Sequence, residues 1–207
     1  AIIFIRFLFL TYNDTVQPAI TRLFQYDQHK IETTINSLMD STRYLQGLEV
    51  LVGDILRMSR DVLRIPNSHM LIYYDDAAMF MKMGLETKQL TDLNPDEPFF
   101  KWLVTFNQIV ERERVEFRSQ HQEIREVALS YFNQIKTEVC VPFIHRGRIL
   151  GILNLGQKSD TRWNLTAREL GLLDRLRKSV TLALENALLH QTRLDMQEKQ
   201  ILAELLA

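Results

Sequence analysis

The sequence is poor in the residues that hold together disulfide-rich folds and in those that break regular structure. Cys140 is its single cysteine, which excludes an internal disulfide and is typical of proteins from a reducing compartment. The 207 residues include only seven glycines and five prolines. Because these two residue types interrupt helices and strands, their scarcity favours long regular elements, and helices in particular.

No charge of one sign dominates the chain. It carries 25 Lys and Arg against 26 Asp and Glu, for a formal net charge of −1, and both signs are spread along the sequence. A surface that binds nucleic acid needs an excess of Lys and Arg, so we predict no nucleic-acid partner. Apolar residues at 46% and charged residues at 25% are ordinary for a globular protein with a core.

Motifs that carry chemistry are missing as well. The sequence has no Ser, His and Asp arrangement typical of a nucleophile, no glycine-rich phosphate loop and no spacing typical of a metal site. These absences argue against an enzyme. We therefore predict a sensor or binding module with no catalytic residues and no metal ligands, and the sequence leaves the identity of any cofactor open.

Long hydrophobic runs are scarce. The most apolar stretch is AIIFIRFLFL at residues 1–10, which is too short to span a bilayer and is interrupted by Arg6. Three interpretations stay open: the end of a membrane helix, a buried or self-associating segment, and the core of a signal peptide. We assign residues 1–17 to this apolar segment. The first interpretation implies that the parent protein is anchored in a membrane.

A long helix is predicted near the start of the chain. Pro18 fits its first turn, and no strong breaker follows before about Ile65. Apolar residues recur in it every seven positions, at Phe24, Ile31, Leu38, Leu45 and Val52. This spacing is typical of helices that pair with another helix. We predict a coiled-coil-like linker over residues 18–42, and an amphipathic helix lying on its own domain is the alternative.

A second long helix is predicted at the end of the chain. Thr166 and Glu169 form a capping-box pattern that opens it. From His190 onwards it is too polar for a domain core, and a polar helix with a thin apolar seam is stable mainly when it pairs. We predict a parallel homodimer whose seam is formed by Phe24, Ile31, Leu38, Val180, Ala187, Leu194 and Ile201.

Short strands and short helices are predicted between the two long helices. The patterns indicate strands at 69–76, 78–83 and 108–111, helices at 99–106 and 116–135, and a polar loop at 89–98. Strands that are not linked by regular helical crossovers favour an antiparallel sheet. The predicted fold class is therefore α+β, with a mainly antiparallel central sheet and helices on its faces.

Residues 138–159, EVCVPFIHRGRILGILNLGQKS, form the most informative stretch of the chain. They predict two apolar strands joined by a tight basic turn at residues 145–148, in which Gly147 supplies the permissive backbone. Cys140 alternates with its neighbours along the first strand, which favours a small packed residue over a redox or ligand-contact role. His145 and the adjacent arginines are predicted to form a solvated tip.

This hairpin resembles that of a GAF domain, which has a hydrophobic-Pro-hydrophobic strand, a basic-Gly turn and a second strand containing glycine. The stretches WNLTARELGLLD at 163–174 and ALENALL at 183–189 resemble the opening and the end of the last helix of that family. The resemblance covers roughly residues 43–190, the predicted sensor domain, and leaves 191–207 as a C-terminal signalling helix.

The resemblance implies a regulatory domain of a bacterial signalling protein, such as a membrane-anchored histidine kinase, phosphatase or cyclase, with the domain in the cytoplasm. It also implies that no bilin is attached covalently, because Cys140 lies in a strand. Candidates for lining a small-molecule pocket are Tyr74, Phe80, Trp102, Phe106, Tyr131, Phe132 and Cys140.

Two hypotheses of function remain. In the first, a small molecule or an upstream signal biases the domain, and the flanking helices relay the change through a dimer to an output domain. In the second, the chain is a ligand-free dimerisation or scaffold module. Core packing alone explains the aromatic pocket candidates as well as ligand binding does.

Overall fold

The structure is a computed structural model that describes residues 32–40, 47–117, 122–159 and 165–205. Residues 32–40 are helical. The elements that follow are α1 (Leu48–Asp61), β1 (Ser68–Tyr74), β2 (Met79–Met83), β3 (Lys88–Leu90), α2 (Pro98–Phe106), β4 (Val110–Glu111), α3 (Arg112–Phe117), α4 (Arg125–Ile135), β5 (Val139–His145), β6 (Arg148–Leu155) and α5 (Ala167–Leu205).

The strands form one six-stranded sheet in the order β3-β2-β1-β6-β5-β4, and every neighbouring pair is antiparallel. The predicted α+β class with a mainly antiparallel sheet is therefore confirmed. The predicted hairpin is β5 and β6, and its two-residue turn has positive φ at both Arg146 (49°) and Gly147 (74°). That geometry matches the right-handed twist of the flanking strands, so a tight turn suffices here.

Alternation along the strands divides the core between the two faces of the sheet. One face, which we call the helix-pair face, carries Met70 and Ile72 of β1 and is covered by α1 and α5. The opposite face, which we call the aromatic face, carries Leu71 of β1 and Phe80 of β2 and is covered by α2, α3 and α4. Successive side chains of a strand point to opposite faces, so the three central strands contact both layers of helices.

Gly151 of β6 lies where the backbone of β1 and a side chain of helix α5 meet. A Cβ atom at this position would lie 2.8 Å from the Leu71 carbonyl oxygen, 3.1 Å from Ile72 Cδ1 and 3.5 Å from Leu184 Cδ2. Leu184 of α5 is fully buried. The missing side chain of Gly151 therefore allows the close approach of the β1 backbone, and Leu184 packs over the same position.

The start of α5 is fixed by the predicted capping box. The backbone N–H of Thr166 donates to Glu169 Oε2 at 2.8 Å, and the backbone N–H of Glu169 donates to Thr166 Oγ1 at 3.2 Å. Lys158 Nζ, which follows β6, donates to both carboxylate oxygens of Glu169 at 2.7 and 2.9 Å. Because both partners of this ion pair are largely buried, removal of one would leave an uncompensated charge and cost about 3–5 kcal/mol.

The helical segment 32–40 packs against the same helix. Arg168 Nη2 donates to Glu32 Oε2 at 2.6 Å, and Ile35 and Leu38 are buried in the core of the helix-pair face. Residues 41–46 lie outside the described ranges, so the predicted continuity of one helix up to Ile65 is not tested. Helix α1 itself begins after Gly47 and ends at Asp61.

Two predictions for the region between the helices are wrong. The predicted helix at 116–135 is replaced by α3 and α4, because Val115 is the only buried residue of α3 and no apolar stripe continues from it. The predicted loop at 89–98 begins with part of β3, an edge strand whose three residues are all exposed. Pairing of the β3 backbone with β2, rather than side-chain alternation, forms that strand.

Within the described ranges, no helix combines the length and the apolar character that a membrane crossing requires. The predicted apolar segment 1–17 lies outside these ranges.

The close contact at Gly151 leads to a prediction about stability, for which a second glycine, Gly171, provides the experimental control. Gly151→Ala places a Cβ against the rigid backbone of β1, and we expect the free energy of unfolding to fall by about 1–3 kcal/mol. Gly171→Ala adds a methyl group where nothing lies within 4 Å, in the first turns of α5, and should raise stability by about 0.5–1 kcal/mol. Urea unfolding of both variants measures the difference. Equal stability of wild type and Gly151→Ala would contradict the packing described here.

Candidate functional site

Aromatic rings occupy most of the space between the sheet and the helices of the aromatic face. Phe99 of α2 lies 4.5 Å from Tyr131 of α4, and Phe100 of α2 lies 4.8 Å from Phe80 of β2, both measured between ring centroids. Phe100 and Tyr131 pack edge to face at 5.6 Å. Separations of this size are ordinary packing contacts of aromatic pairs. The centre of this face is therefore filled by side chains of the chain itself.

The predicted pocket residues fall on both faces of the sheet. The aromatic face contains six of the seven: Phe80, Trp102, Phe106, Tyr131, Phe132 and Cys140. Tyr74 instead packs against the core of the helix-pair face. Its neighbour Tyr73 is on the aromatic face, where its ring lies 5.3 Å from that of Phe80. Tyr74 therefore lies apart from the other six pocket candidates, because a one-residue step in a strand exchanges the faces.

A row of polar side chains crosses the aromatic face at one end of the sheet. Cys140 of β5 pairs directly with Asn154 of β6, and Asn154 pairs directly with His69 of β1. Tyr131 of α4 lies above the row, and its hydroxyl donates to Asn154 Oδ1 at 2.9 Å. Asn154 is fully buried and Tyr131 almost so. We call Cys140, Asn154, His69 and Tyr131 the polar row.

Burial governs the ionisation of the polar row. It raises the pKa of the Cys140 thiol far above its ordinary value and raises the pKa of Tyr131 well above 10.0, so neither group ionises near neutral pH. Cys140 is therefore a protonated, packed residue, as the sequence predicts, with no nucleophilic character.

His69 is held neutral in the folded chain. Burial, and secondarily the charge of Lys82 on β2, lower its pKa from 6.5 to about 4. Only 9% of the residue is exposed. Among the described residues, no three His, Cys, Asp or Glu side chains lie together as a metal ion would require, so His69 has no companion ligands there.

Two nitrogen atoms of the polar row have no hydrogen-bond partner among the described residues: His69 Nε2 and Asn154 Nδ2. Buried polar groups are nearly always paired, because an unpaired one costs about 1–3 kcal/mol. The sequence analysis did not single out Asn154. The available signal was a single amide side chain within the apolar strand RILGILNL.

The basic turn of the hairpin is only partly the solvated tip that the sequence predicts. Arg146 and Arg148 are exposed, but His145 is only 23% exposed and its Nε2 lies 3.2 Å from Glu185 Oε2 on α5. Arg148 Nη1 donates to Asp75 Oδ2 at 2.7 Å, in the short helical turn after β1. The prediction for His145 was wrong because α5 lies across the end of the hairpin.

The structure separates the residues of the predicted dimer seam. Leu38, Val180 and Ala187 are buried in the core of their own chain, so their heptad spacing reflects packing on the sheet. Leu194 and Ile201 are about half exposed, and their contact with a second chain stays a prediction. Phe24 and Ile31 lie outside the described residues.

A different line of apolar residues is exposed along α5. Leu182, Leu189 and Met196 recur every seven residues and are 56%, 52% and 58% exposed. Since each residue turns the helix by about 100°, Leu182 lies about 200° from the buried Val180, on the side away from the sheet. We call these three residues the α5 stripe. The seven-residue spacing of these three residues is visible in the sequence. The sequence analysis followed the parallel line through Val180 and Ala187 instead.

The structure also has a cleft of about 500 Å³ between the first turns of α5 and the segment that precedes and includes β4. Arg177 lines it, and its guanidinium donates to Asn107 Oδ1 at 2.6 Å and to Asp174 Oδ1 at 3.0 Å. The bond to Asn107 joins α5 to the end of α2, and the bond to Asp174 lies within α5. None of the predicted pocket residues lines this cleft.

No protein-family model and no curated protein matches the sequence. Solved structures do match the fold. The GAF domain of a phosphoenolpyruvate-protein phosphotransferase from Acinetobacter is 11% identical with a TM-score of 0.53, over 75% of this chain and 92% of that one. The phycoerythrobilin-bound GAF domain of a cyanobacterial phytochrome is 12% identical with a TM-score of 0.52, over 81% and 99%.

A third similar structure is an enzyme. The free methionine-R-sulfoxide reductase of Neisseria meningitidis, solved with its substrate, is 10% identical with a TM-score of 0.52, over 77% of this chain and 91% of that one. At such identities the likeness concerns the fold alone. The predicted GAF-like fold is confirmed, and the fold by itself does not distinguish a regulatory domain from an enzyme.

The neutral state of His69 predicts a specific loss of stability in acid. The unfolded chain takes up a proton as the pH falls below 6.5, whereas the folded chain resists until about pH 4. The free energy of unfolding should therefore fall across this window, by about 2–3 kcal/mol for this residue alone. Urea unfolding at pH 7 and pH 4.5 should show that His69→Phe lacks this part of the acid sensitivity.

His190, which is exposed on α5, supplies the matched control, and His190→Gln should retain the acid sensitivity of the wild type. If His69→Phe and the wild type lose stability in parallel between the two pH values, His69 is not buried as described.

Proposed function

We propose that this chain is a regulatory GAF domain of a signalling protein, which pairs with a second copy along α5 and passes conformational changes through that helix to a further domain. The observation that carries the proposal is the α5 stripe. It exposes three large apolar side chains at heptad spacing on the side of the helix that the sheet does not use.

The length of α5 supports a role beyond its own domain. The helix has 39 residues and is therefore about 58 Å long. Its last buried residue is Ala187, so the turns that follow lack a core of their own chain. A polar helix with a thin apolar seam gains stability mainly from a partner helix. A second copy of the same helix supplies an identical stripe in a parallel pair.

The magnitudes favour a weak and adjustable pair. Complete burial of a large apolar side chain is worth about 1.5–3 kcal/mol, so half-exposed side chains contribute roughly 1 kcal/mol each. Six such side chains in a pair of stripes contribute roughly 6 kcal/mol before the cost of association, which makes the pair weak. The population of a weak pair changes strongly when a conformational change in the domain alters the free energy of pairing by a few kcal/mol, as a relay requires.

The contacts of α5 provide a route for that bias. The helix rests on β6 at Gly151 and contacts the hairpin end through Glu185 and His145. The same central strands carry the polar row on their other face. A change in the helices of the aromatic face therefore shifts strands on which α5 lies. The predicted kinase, phosphatase or cyclase output, the membrane anchor and the cytoplasmic location stay predictions.

A ligand-free scaffold is the second candidate function. It is favoured by one observation, the filled aromatic centre between Phe80, Phe100 and Tyr131. In that case the pair formed by α5 would be permanent and would not respond to small molecules.

Substitutions on two sides of α5 test the proposed pairing. We expect the wild-type chain to dimerise weakly and reversibly, with the dimer populated toward millimolar concentration. Leu189→Glu with Met196→Glu should yield a monomer whose thermal stability equals that of the dilute, monomeric wild type, because both side chains lie outside the core. Leu90→Glu, at an equally exposed apolar residue on edge strand β3, is the matched control and should dimerise like the wild type. Sedimentation velocity measures all three.

The originally predicted seam gives the contrasting variant, Leu194→Glu with Ile201→Glu. If only this variant dissociates the dimer, the seam is correct and the α5 stripe is not the contact. A wild-type chain that is monomeric at about 1 mM, where some 4 kcal/mol of pairing energy suffices for half occupancy, contradicts the paired relay.

A further inference from the structure

The end of the aromatic face where His69 and Asn154 meet combines buried hydrogen-bond donors with a cation. We call His69, Lys82 and Asn154 the polar corner. They lie on three adjacent strands, β1, β2 and β6, and on the same face of the sheet, since Lys82 pairs directly with Leu71. We propose that the polar corner binds the carboxylate group of a small organic acid. The site is separate from the α5 stripe and does not depend on dimerisation.

The orientation of the Asn154 side chain is fixed by Tyr131. The tyrosine hydroxyl donates to Asn154 Oδ1, which leaves Nδ2 as the outward donor of the amide. Nδ2 has no partner among the described residues, although the residue is fully buried. An amide held in this way presents N–H groups that only an additional acceptor can satisfy.

His69 brings a second unpaired nitrogen to the same place. Its Nε2 also lacks a partner within the described ranges, and the residue sits directly opposite Asn154 in the register of β1 and β6. Directly opposite residues of antiparallel strands have Cβ atoms about 4.5–5.5 Å apart. One acceptor group between them can therefore accept a hydrogen bond from each. The neutral imidazole supplies one N–H, which the Nε2 tautomer directs to that acceptor.

Lys82 makes the polar corner favour negatively charged ligands. No ion pair of Lys82 occurs among the described residues, and its charge is close enough to His69 to lower the pKa of the imidazole. Lys82 is half-buried, so an anion that enters from solvent meets its ammonium group first. A carboxylate has two acceptor oxygens and one negative charge. It thereby matches one ammonium group and two neutral donors better than a doubly charged phosphate does.

The side chains beside the corner are apolar. Tyr131, above the polar row, packs against Phe99 and Phe100, which places buried aromatic rings next to Asn154. Pockets that combine apolar walls with a few convergent polar groups are typical of small-molecule sites. An organic acid with an apolar body is therefore a closer match than an inorganic anion.

Titration by NMR tests the proposal on the complete chain. The probes are sodium acetate, for the head group alone, and sodium benzoate, for a head group with an apolar body. Sodium chloride at equal ionic strength and sodium phosphate are the comparison salts. We expect saturable shifts of the Asn154 side-chain amide and the His69 ring nitrogen resonances with both carboxylates, and none with chloride.

Two lysine variants distinguish binding at the polar corner from nonspecific attraction of anions to positive charge. Lys82→Met removes the ammonium group of the corner and should weaken carboxylate binding about tenfold or more, because a charged hydrogen bond is lost. Lys88→Met, on the adjacent strand β3, is the matched control and should bind like the wild type, since Lys88 is exposed and pairs with Glu49. Both positions are partly or largely exposed, so both variants are expected to fold.

The results that overturn the proposal are distinct. If the Asn154 amide and His69 resonances do not move with acetate or benzoate, a resident water satisfies the two nitrogen atoms and no carboxylate binds. If phosphate or chloride causes the same shifts, or if both lysine variants weaken binding equally, the effect is nonspecific ion binding. Neither result bears on the dimer, which sedimentation measures independently.

Discussion

Gly151 of β6 lies against the backbone of β1, where a Cβ atom would come within 2.8 Å of the Leu71 carbonyl oxygen, and the side chain of Leu184 of α5 packs over the same position. Val180 and Leu184 are fully buried and hold this part of α5 on the sheet. The Lys158–Glu169 pair fixes where the helix begins, and Glu185 meets the hairpin end at His145. The side of the helix opposite its buried residues carries the α5 stripe.

The sheet therefore separates two different packing environments, one on each of its faces. Its helix-pair face is a plain aliphatic core that determines the position of α5. Its aromatic face is filled with rings at the centre and becomes polar at one end, where Asn154 Nδ2 and His69 Nε2 have no hydrogen-bond partner in the part of the chain that the structure describes. Natural cores rarely leave two adjacent polar groups unsatisfied without a functional reason. The proposed carboxylate site and the proposed relay thus meet at the central strands, one on each face.

Local rules predicted the fold well because each depends on residues close in sequence. The capping box at Thr166, the turn at Gly147 and the antiparallel hairpin all follow from neighbouring residues. Features that depend on contacts between elements far apart in the sequence were missed or misassigned. Val180 and Ala187 have heptad spacing whether the partner is a sheet or a helix, so spacing alone could not distinguish them. Tyr74 lies on the opposite face from the other pocket candidates because side chains alternate along β1, and Asn154 acquires meaning only opposite His69.

The central claim is that α5 lies on its own sheet with one side and on the α5 of a second copy with the opposite side. The most direct test is the distance between spin labels on the two chains of the dimer, attached at Gln197→Cys beside the α5 stripe, while the buried and protonated Cys140 stays unlabelled. A parallel pair with helix axes about 8–10 Å apart predicts a short, narrow distance distribution. A long or featureless distribution in a sample that is dimeric by sedimentation would contradict the account.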